Sequence, residues 1–177
     1  NSPVSEVSRA YTLLTKDFGI IGARAEGVRK STSKFRYVLQ NLSLVSLSLV
    51  RGKGFYRIVH AQVVLPYRAI LSASSGALPL TARIAWLLRR MVGEGEANQN
   101  LFQVVREFLL LLPKTSGDLL PLLEIATVVR ILSLLGYFPD RNEYSELFEG
   151  PIEPSLARIS MLRPNLVKDI NTALSAS

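Results

Sequence analysis

The sequence predicts an α+β protein in which a small β-barrel is followed by an all-α helical bundle. In residues 11–65, apolar and polar residues alternate between short turns, a period typical of strands. After Pro66 the apolar residues recur at spacings of three and four, which is the period of helices. The change of period predicts a β domain at residues 1–65 and a helical domain at residues 66–177.

The β domain begins with a predicted hairpin. Its strands are expected at residues 11–15 and 20–28, on either side of the turn Lys16-Asp17-Phe18-Gly19. Gly19 suits the turn because glycine readily adopts a positive φ. Small apolar residues alternate with charged ones in the second strand, so its charges are expected on one face.

A second hairpin is predicted further along the chain. Its strands are expected at residues 42–50 and 55–65, joined by the turn Arg51-Gly52-Lys53-Gly54. The apolar alternation changes parity at Val45-Ser46, which predicts a β-bulge in the first of these strands. The residues before this hairpin, 29–37, are the most basic stretch and are predicted to form a polar loop.

Glycine, asparagine and proline residues delimit the first two predicted helices, the first of which ends at Gly93 and Gly95. Apolar stripes run through residues 84–91 and 101–112. Either Asn98 or Asn100 is expected to cap the second helix, which ends at Pro113.

The most apolar helix is predicted at residues 119–135 and is expected to be the centre of the bundle. Leu132 is a predicted core position in it. Arg130, in the same helix, is expected to reach the surface or to pair with Glu124 or Asp140, because a buried unpaired guanidinium is too costly.

Shorter helical segments are predicted after the stop at Gly136. A helical turn is expected at residues 143–148, followed by one helix from about Ser155 and another that begins at Pro164. The residues of the last helix that are expected to face inward are Leu166, Val167, Ile170 and Leu174.

The excess of positive charge is confined to the β domain. Residues 1–65 contain ten Lys or Arg and three Asp or Glu, whereas residues 66–177 contain eleven of each kind. A basic β module ahead of a neutral remainder indicates binding to a polyanion. The alternative is that the basic residues only keep the surface solvated.

The residues of known catalytic sites are scarce. The chain has no cysteine and one histidine, His60, which is expected to be an ordinary strand residue. These counts exclude disulfides and thiolate sites and leave no histidine cluster for a metal. The sequence therefore predicts no enzyme, no metal site and no cofactor, and an unrecognised catalytic site is the least favoured reading.

No segment has the features of a membrane span or a signal peptide. The most apolar stretch, residues 119–138, contains Glu124 and Arg130, which are costly in lipid. The chain begins with Asn1 rather than Met, which suggests that a segment precedes it.

Basic and aromatic residues interleave between residues 29 and 57, as in grooves that bind single-stranded nucleic acid. The predicted nucleic-acid-binding residues are Arg29, Lys30, Lys34, Arg36, Tyr37, Arg51, Lys53 and Arg57. Tyr56 is a further candidate for base stacking, although it and its aromatic neighbours could instead pack in the barrel. In the helical part, Arg83 and Arg90 share one side of a helix and could hold an acidic peptide.

The order of several short motifs resembles the RecO family of bacterial recombination mediators. In the β half these motifs are the segments 5–9, 13–19, 25–34 and 39–40. In the helical half, the segment 130–139 resembles the family's buried helix, which ends in Leu-Gly-Tyr and a proline. The resemblance covers about residues 5–140.

The resemblance implies an OB-fold followed by a helical domain. It implies a non-enzymatic protein of recombinational DNA repair that binds single- and double-stranded DNA and anneals complementary strands. The implied partners are RecR and the carboxy-terminal tail of the single-strand binding protein SSB, with a role in loading RecA. The implied location is the cytoplasm, in association with the nucleoid. An alternative reading is an OB-fold adaptor that binds RNA or a protein.

The chain departs from the family pattern in several places. Family members usually begin one strand earlier, so the barrel is expected to be incomplete. Many members carry a four-cysteine zinc motif, which this chain lacks, and the part after Pro139 is short. Ile125 and Ala126 stand where arginines that receive the SSB tail would be expected.

Overall fold

The computed structural model describes residues 8–28, 33–73, 75–115, 117–139 and 142–175. The strands come first and the helices follow, so the predicted α+β class is confirmed. The strands end at Leu65 and the first long run of helices begins at Tyr67, close to the predicted change of period.

The sheet consists of two antiparallel hairpins. Strands β1 (Arg9–Thr15) and β2 (Gly19–Ala25) form the first, and strands β3 (Leu44–Arg51) and β4 (Tyr56–Leu65) form the second. Both predicted hairpins are confirmed, but β2 ends three residues earlier than expected. The strand ends there because the chain turns at Gly27, which has a φ of 66°.

The two hairpins are joined by a short parallel pairing between β2 and β4. The strand order is therefore β1-β2-β4-β3, which is consistent with the Greek-key arrangement of an OB-fold. Strands β1 and β3 are the two edges of this sheet and are not paired with each other. Within the described part of the chain, the barrel is therefore not closed.

The predicted β-bulge occurs in the opposite strand. The register between β3 and β4 shifts twice, and in each case β4 carries the extra residue, Val59 or Val64. Both valines are about half exposed, as expected for residues displaced from the ladder. The parity change near Val45 has another cause: Leu42 precedes the strand, with a φ of 61°, and the strand itself alternates regularly from Val45.

Seven helices follow or interrupt the strands in the described residues. They are α1 (Phe35–Val38), α2 (Tyr67–Ala73), α3 (Ala77–Met91), α4 (Gln99–Leu111), α5 (Leu120–Leu134), α6 (Ser145–Phe148) and α7 (Ile152–Ser175). Helices α1 and α2 were not predicted, and α1 lies in the expected polar loop. Both are too short to display an apolar stripe over two turns.

The termini of α4 and α5 follow the predicted signals. Asn98 caps α4, and its Oδ1 accepts a hydrogen bond of 2.9 Å from the backbone N–H of Leu101. Helix α5 ends in a Schellman motif, in which Tyr137 N–H donates to Leu132 C=O and Gly136 N–H donates to Ser133 C=O. Gly136 has the positive φ, 77°, that this motif requires.

Helix α5 is the centre of the helical core, as predicted. It packs against α3, α4 and α7, and most of its side chains are buried. Leu132 is completely inaccessible to solvent, which confirms its predicted core position. Leu14, Leu44 and Leu65 of the sheet pack against the same core, so strands and helices share it.

The last two predicted helices are one continuous helix. Pro164 lies inside α7 rather than at the first turn of a new helix. Proline removes one N–H from the helical ladder, but Pro164 and Ser160, whose carbonyl loses its donor, are both exposed, so water can hydrate that carbonyl. Val167 is exposed and not inward-facing, whereas Leu166 is buried as predicted.

Arg130 is buried, contrary to the prediction that it reaches the surface or pairs with an acid. Its guanidinium donates to four backbone carbonyls, one in α6 and three in the segment that leads to α7. The acceptors and donor–acceptor distances are Leu147 at 2.8 Å, Glu149 at 3.3 Å, Gly150 at 2.6 Å and Pro151 at 3.2 Å. Glu124 instead forms a two-bond ion pair with Arg83 of α3, and Asp140 lies outside the described residues.

The loop after α3 fastens the helices to the sheet. Gly95 N–H donates to Ile20 C=O at 3.0 Å, and the backbones of Glu94 and Ile20 form an isolated parallel β-bridge. Gly19 is required here for two reasons, because its φ is 64° and a Cβ would lie 2.2 Å from the carbonyl oxygen of Glu96. The sequence indicates only the first of these reasons.

Truncation of Leu132 tests the central position of α5. Leu132→Ala should lower the free energy of unfolding by about 2–5 kcal/mol, through lost burial and the cavity left behind. Leu134→Ala, in the same helix but 36% exposed, should cost less than about 1.5 kcal/mol. Urea unfolding followed by circular dichroism measures both, and equal losses would contradict the assigned faces of α5.

Substitution of Gly19 tests the contact between sheet and helices. Gly54→Ala should lower the free energy of unfolding by about 1–2 kcal/mol. Gly54 has a positive φ, as Gly19 does, but an added Cβ would meet only open space. Gly19→Ala should cost more, because the methyl group also displaces the loop at Glu96. Thermal unfolding compares the two variants, and a Gly19 variant no less stable than the Gly54 variant would refute the close approach.

Candidate nucleic-acid interface

The second hairpin brings three predicted site residues together. Arg51 ends β3, Lys53 lies in the turn, and Arg57 is the second residue of β4. The turn is closed by a hydrogen bond of 2.8 Å from Gly52 N–H to Phe55 C=O. All three basic side chains are exposed, so this end of the sheet presents a cluster of cations.

Helix α1 carries a second group of predicted site residues. Lys34 precedes this helix, and Arg36 and Tyr37 lie within it. All three are exposed, and Tyr37 is 72% accessible to solvent. Helix α1 packs against β4, the strand that contains Arg57. Arg29 and Lys30, the remaining predicted residues, lie outside the described residues.

Arg24 belongs to this surface but was not predicted. It pairs with Arg57 in the parallel register of β2 and β4, and its guanidinium lies 4.4 Å from the ring centroid of Phe55. This distance is typical of a cation–π contact. The only local signal was that Arg24 alternates with buried alanines. Its neighbours come from a pairing between strands more than 30 residues apart, which the sequence pattern does not reveal.

The aromatic residues divide into exposed and core-packed groups. Tyr56 and Phe35 are half-buried and pack against the small core inside the sheet, which includes Ala23 and Ile58. Phe18 is 48% exposed, and its ring centroid lies 5.6 Å from that of Tyr56. Core packing therefore accounts for Tyr56, whereas Tyr37 presents its ring to solvent.

Strand β1 supplies another cation and another aromatic ring. The guanidinium of Arg9 lies 5.3 Å from the ring centroid of Tyr11. Burial raises the pKa of the Tyr11 hydroxyl above its ordinary value, and the positive charge of Arg9 opposes this rise. Like Arg24, Arg9 was not among the predicted site residues.

This surface provides cations and aromatic rings, which are the groups that hold a charged, base-bearing strand. His60 is exposed in β4 and lies opposite Ser48 of β3 in the antiparallel register. None of the described helices is both long and apolar enough to cross a bilayer.

Two family models match the chain, and together they span most of it. The model described as "Recombination protein O N terminal" matches residues 1–67, and the model described as "Recombination protein O C terminal" matches residues 77–146. The chain belongs to the RecO family. The resemblance seen in the sequence motifs is thereby confirmed.

Several curated relatives are named DNA repair protein RecO. The relative from Thermoanaerobacter sp. (strain X514) is 24% identical over 140 residues, which are 78% of this chain and 55% of the relative. The relative from Frankia casuarinae is 30% identical over 141 residues, which are 77% of this chain and 56% of the relative. The relative from Heliobacterium modesticaldum is 32% identical over 135 residues, which are 76% of this chain and 48% of the relative. The chain spans about half the length of the curated relatives it matches.

The boundary between the two RecO family matches lies where the strands end and the helices begin. The amino-terminal match ends at residue 67, two residues after β4. The carboxy-terminal match begins at residue 77, the first residue of α3, and includes Arg130 and the Schellman motif at Gly136. The basic hairpin and α1 therefore lie in the amino-terminal RecO match.

Two tyrosine substitutions test the division between exposed and core-packed rings. Tyr37→Ala should leave the melting temperature almost unchanged, because the ring is mostly exposed. Tyr56→Ala should lower it by several degrees, because its ring packs against the core of the sheet. Differential scanning calorimetry of both variants measures the difference, and a larger loss for Tyr37 would reverse the assignment.

Proposed function

We propose that this chain is the DNA-binding part of a recombinational repair mediator that acts without catalysis. It binds single-stranded DNA at the end of the sheet that carries Arg24, Arg51, Lys53 and Arg57. The observation that carries this proposal is the presence of these four exposed cations at one end of the sheet, where Arg24 also lies over the ring of Phe55. The names of the relatives, DNA repair protein RecO, support the biological context.

Phosphate attraction supplies most of the binding energy in this proposal. Each Lys or Arg that neutralises a phosphate releases condensed counterions, so the affinity falls steeply as salt rises. The cations of the hairpin are exposed, so they reach the backbone of a strand without first breaking buried contacts. Lys34 and Arg36 extend the same positive field along α1, and Arg29 and Lys30 remain predicted members of it.

Base stacking distinguishes single strands from duplexes. Tyr37 offers an exposed ring beside the basic residues of α1, and every base has a π-face to place on it. A duplex hides these faces and would contact the cations alone. The proposed mediator therefore binds both forms of DNA, prefers single strands, and anneals complementary strands by neutralising their repulsion.

The proposed partners are RecR, the SSB tail and, through them, RecA loading on SSB-coated DNA. The helical region is the proposed contact for the acidic SSB tail, but Arg83 already forms a two-bond ion pair with Glu124, at 2.5 and 2.8 Å. This pair raises the pKa of Arg83, and an acidic peptide at Arg83 would have to displace Glu124. A protein with this role works with the nucleoid in the cytoplasm.

The salt dependence of binding tests the proposed interface. The triple variant Arg51→Gln, Lys53→Gln and Arg57→Gln should bind a fluorescent dT oligonucleotide more weakly. Its slope of log Kd against log salt should fall by about two units, because each lost phosphate contact removes about 0.7. Fluorescence anisotropy at several salt concentrations measures the slope.

A matched triple variant controls for net charge. Arg158→Gln, Arg163→Gln and Lys168→Gln remove three exposed cations from α7, and the slope should stay at the wild-type value. Equal slopes for the two triple variants would mean that the hairpin cations are not the residues that contact the phosphates. Tighter binding of an RNA oligonucleotide of the same length would favour the RNA adaptor, because only RNA offers the 2′-hydroxyl.

A further inference from the structure

A groove runs between the sheet and helix α3, outside the proposed interface. Its volume is about 870 Å³. One wall is formed by β1 and by residues 39–43, and the other wall is the exposed side of α3, where Trp86, Arg89 and Arg90 lie. The sequence indicates Arg90 and the motif at residues 39–40, but it does not predict that they line one groove.

Trp86 is an unusual residue to leave in solvent. Its side chain is 58% exposed, although indole is among the largest apolar groups in proteins. The guanidinium of Arg90 lies 5.5 Å from its ring centroid. A ring held between a cation and open space can accept a further planar group on its accessible surface.

The charge of the groove favours an anion. Arg89 and Arg90 are both exposed, and none of the described residues that line the groove is acidic. Arg90 also reaches the carbonyl of Leu174 at 3.5 Å, a weak contact that holds its side chain near the rim. Across the groove, Tyr11 carries Arg9 over its ring, which adds a third cation at the edge.

The strand register connects the groove to the basic end of the sheet. Ala10 lines the groove and pairs with Arg24 in the register of β1 and β2. Arg24 in turn pairs with Arg57. A DNA strand that leaves the cations of the hairpin can therefore cross β2 at Arg24 and β1 at Ala10 to enter the groove. None of the paired positions along this path is acidic.

We infer that this groove holds a continuation of the bound single strand, with a base stacked on Trp86 and phosphates at Arg89 and Arg90. The inference rests on the proposed function and adds a second contact region to it. Asn41 and Gln40, on the opposite wall, offer amide groups to base edges, although the Gln40 Nε2 also donates to the carbonyl of Arg36. A nucleotide suits all three features, because its phosphate matches the arginines, its ring matches Trp86 and its base edges match the amides.

Trp86 reports on this groove alone, because it is the only tryptophan of the chain. Titration with a dT oligonucleotide should quench its fluorescence, because a stacked base contacts the indole directly. Inorganic polyphosphate, which has phosphates but no bases, should bind with much less quenching. Equal quenching by both probes would overturn the stacking assignment.

Anisotropy of a labelled dT oligonucleotide then measures affinity independently of tryptophan. Trp86→Ala should weaken binding by about 5- to 150-fold, the value expected for one lost base stack. Tyr137→Ala removes another exposed ring, 46% accessible and remote in sequence from the groove, and should bind as the wild type does. Arg89→Gln should weaken binding more than Arg163→Gln, its counterpart on α7. Unchanged melting temperatures show that the variants are folded.

The outcomes separate this inference from the proposed function. Salt-dependent dT binding without quenching, and with full affinity in Trp86→Ala, would overturn the groove assignment and leave the hairpin interface standing. Absence of dT binding in the wild type would overturn both. Displacement of dT from the groove by an acidic peptide that binds more tightly than dT does would assign the groove to a protein tail instead.

Discussion

The helical half depends on one buried cation. Arg130 of α5 donates to four carbonyls, one in α6 and three in the segment that joins α6 to α7. Burial lowers the pKa of its guanidinium, and Glu107 of α4 opposes this change. Glu107 also accepts a hydrogen bond of 2.6 Å from the N–H of Ile152, at the start of α7. Helices α4, α5 and α7 thus meet at one polar centre. An arginine suits it because its planar fork has five donors, whereas lysine has three from a single nitrogen.

This centre determines where the rest of the chain can lie. With α5 and α7 fixed, α3 packs on α5 and carries Arg83 to Glu124 at the surface, a contact that adds little stability because it is solvated. The loop after α3 then bonds to Ile20 at the start of β2. Because Gly19 has no side chain, the carbonyl of Glu96 can approach the sheet closely. The wall of the proposed groove is therefore held from both ends, by the helical core and by the first hairpin.

Local signals predicted most of the elements, and long-range contacts account for the errors. The turns at Gly19 and Gly54, the cap at Asn98 and the stop at Gly136 depend on neighbours within a few residues, and each lies where it was predicted. Pro164 was misread because proline starts helices often, and its tolerance inside α7 depends on solvent exposure that no local pattern shows. Arg130 was misread because its acceptors lie 17 to 21 residues away. Burial made its charge costly, and the backbone rather than an acid supplied the partners.

The candidate site shows the same division between composition and geometry. The charge count identified the basic half of the chain, yet it treated every arginine alike. The fold distinguishes Arg83, which is bound to Glu124, from Arg24, which lies over Phe55 beside Arg57. It likewise separates Tyr56, which packs in the sheet, from Tyr37, which does not. A strand of nucleic acid can use only cations and rings that the protein has not already used. The surface from the hairpin across β1 to Trp86 is therefore the proposed path, because its arginines and Trp86 remain exposed after folding.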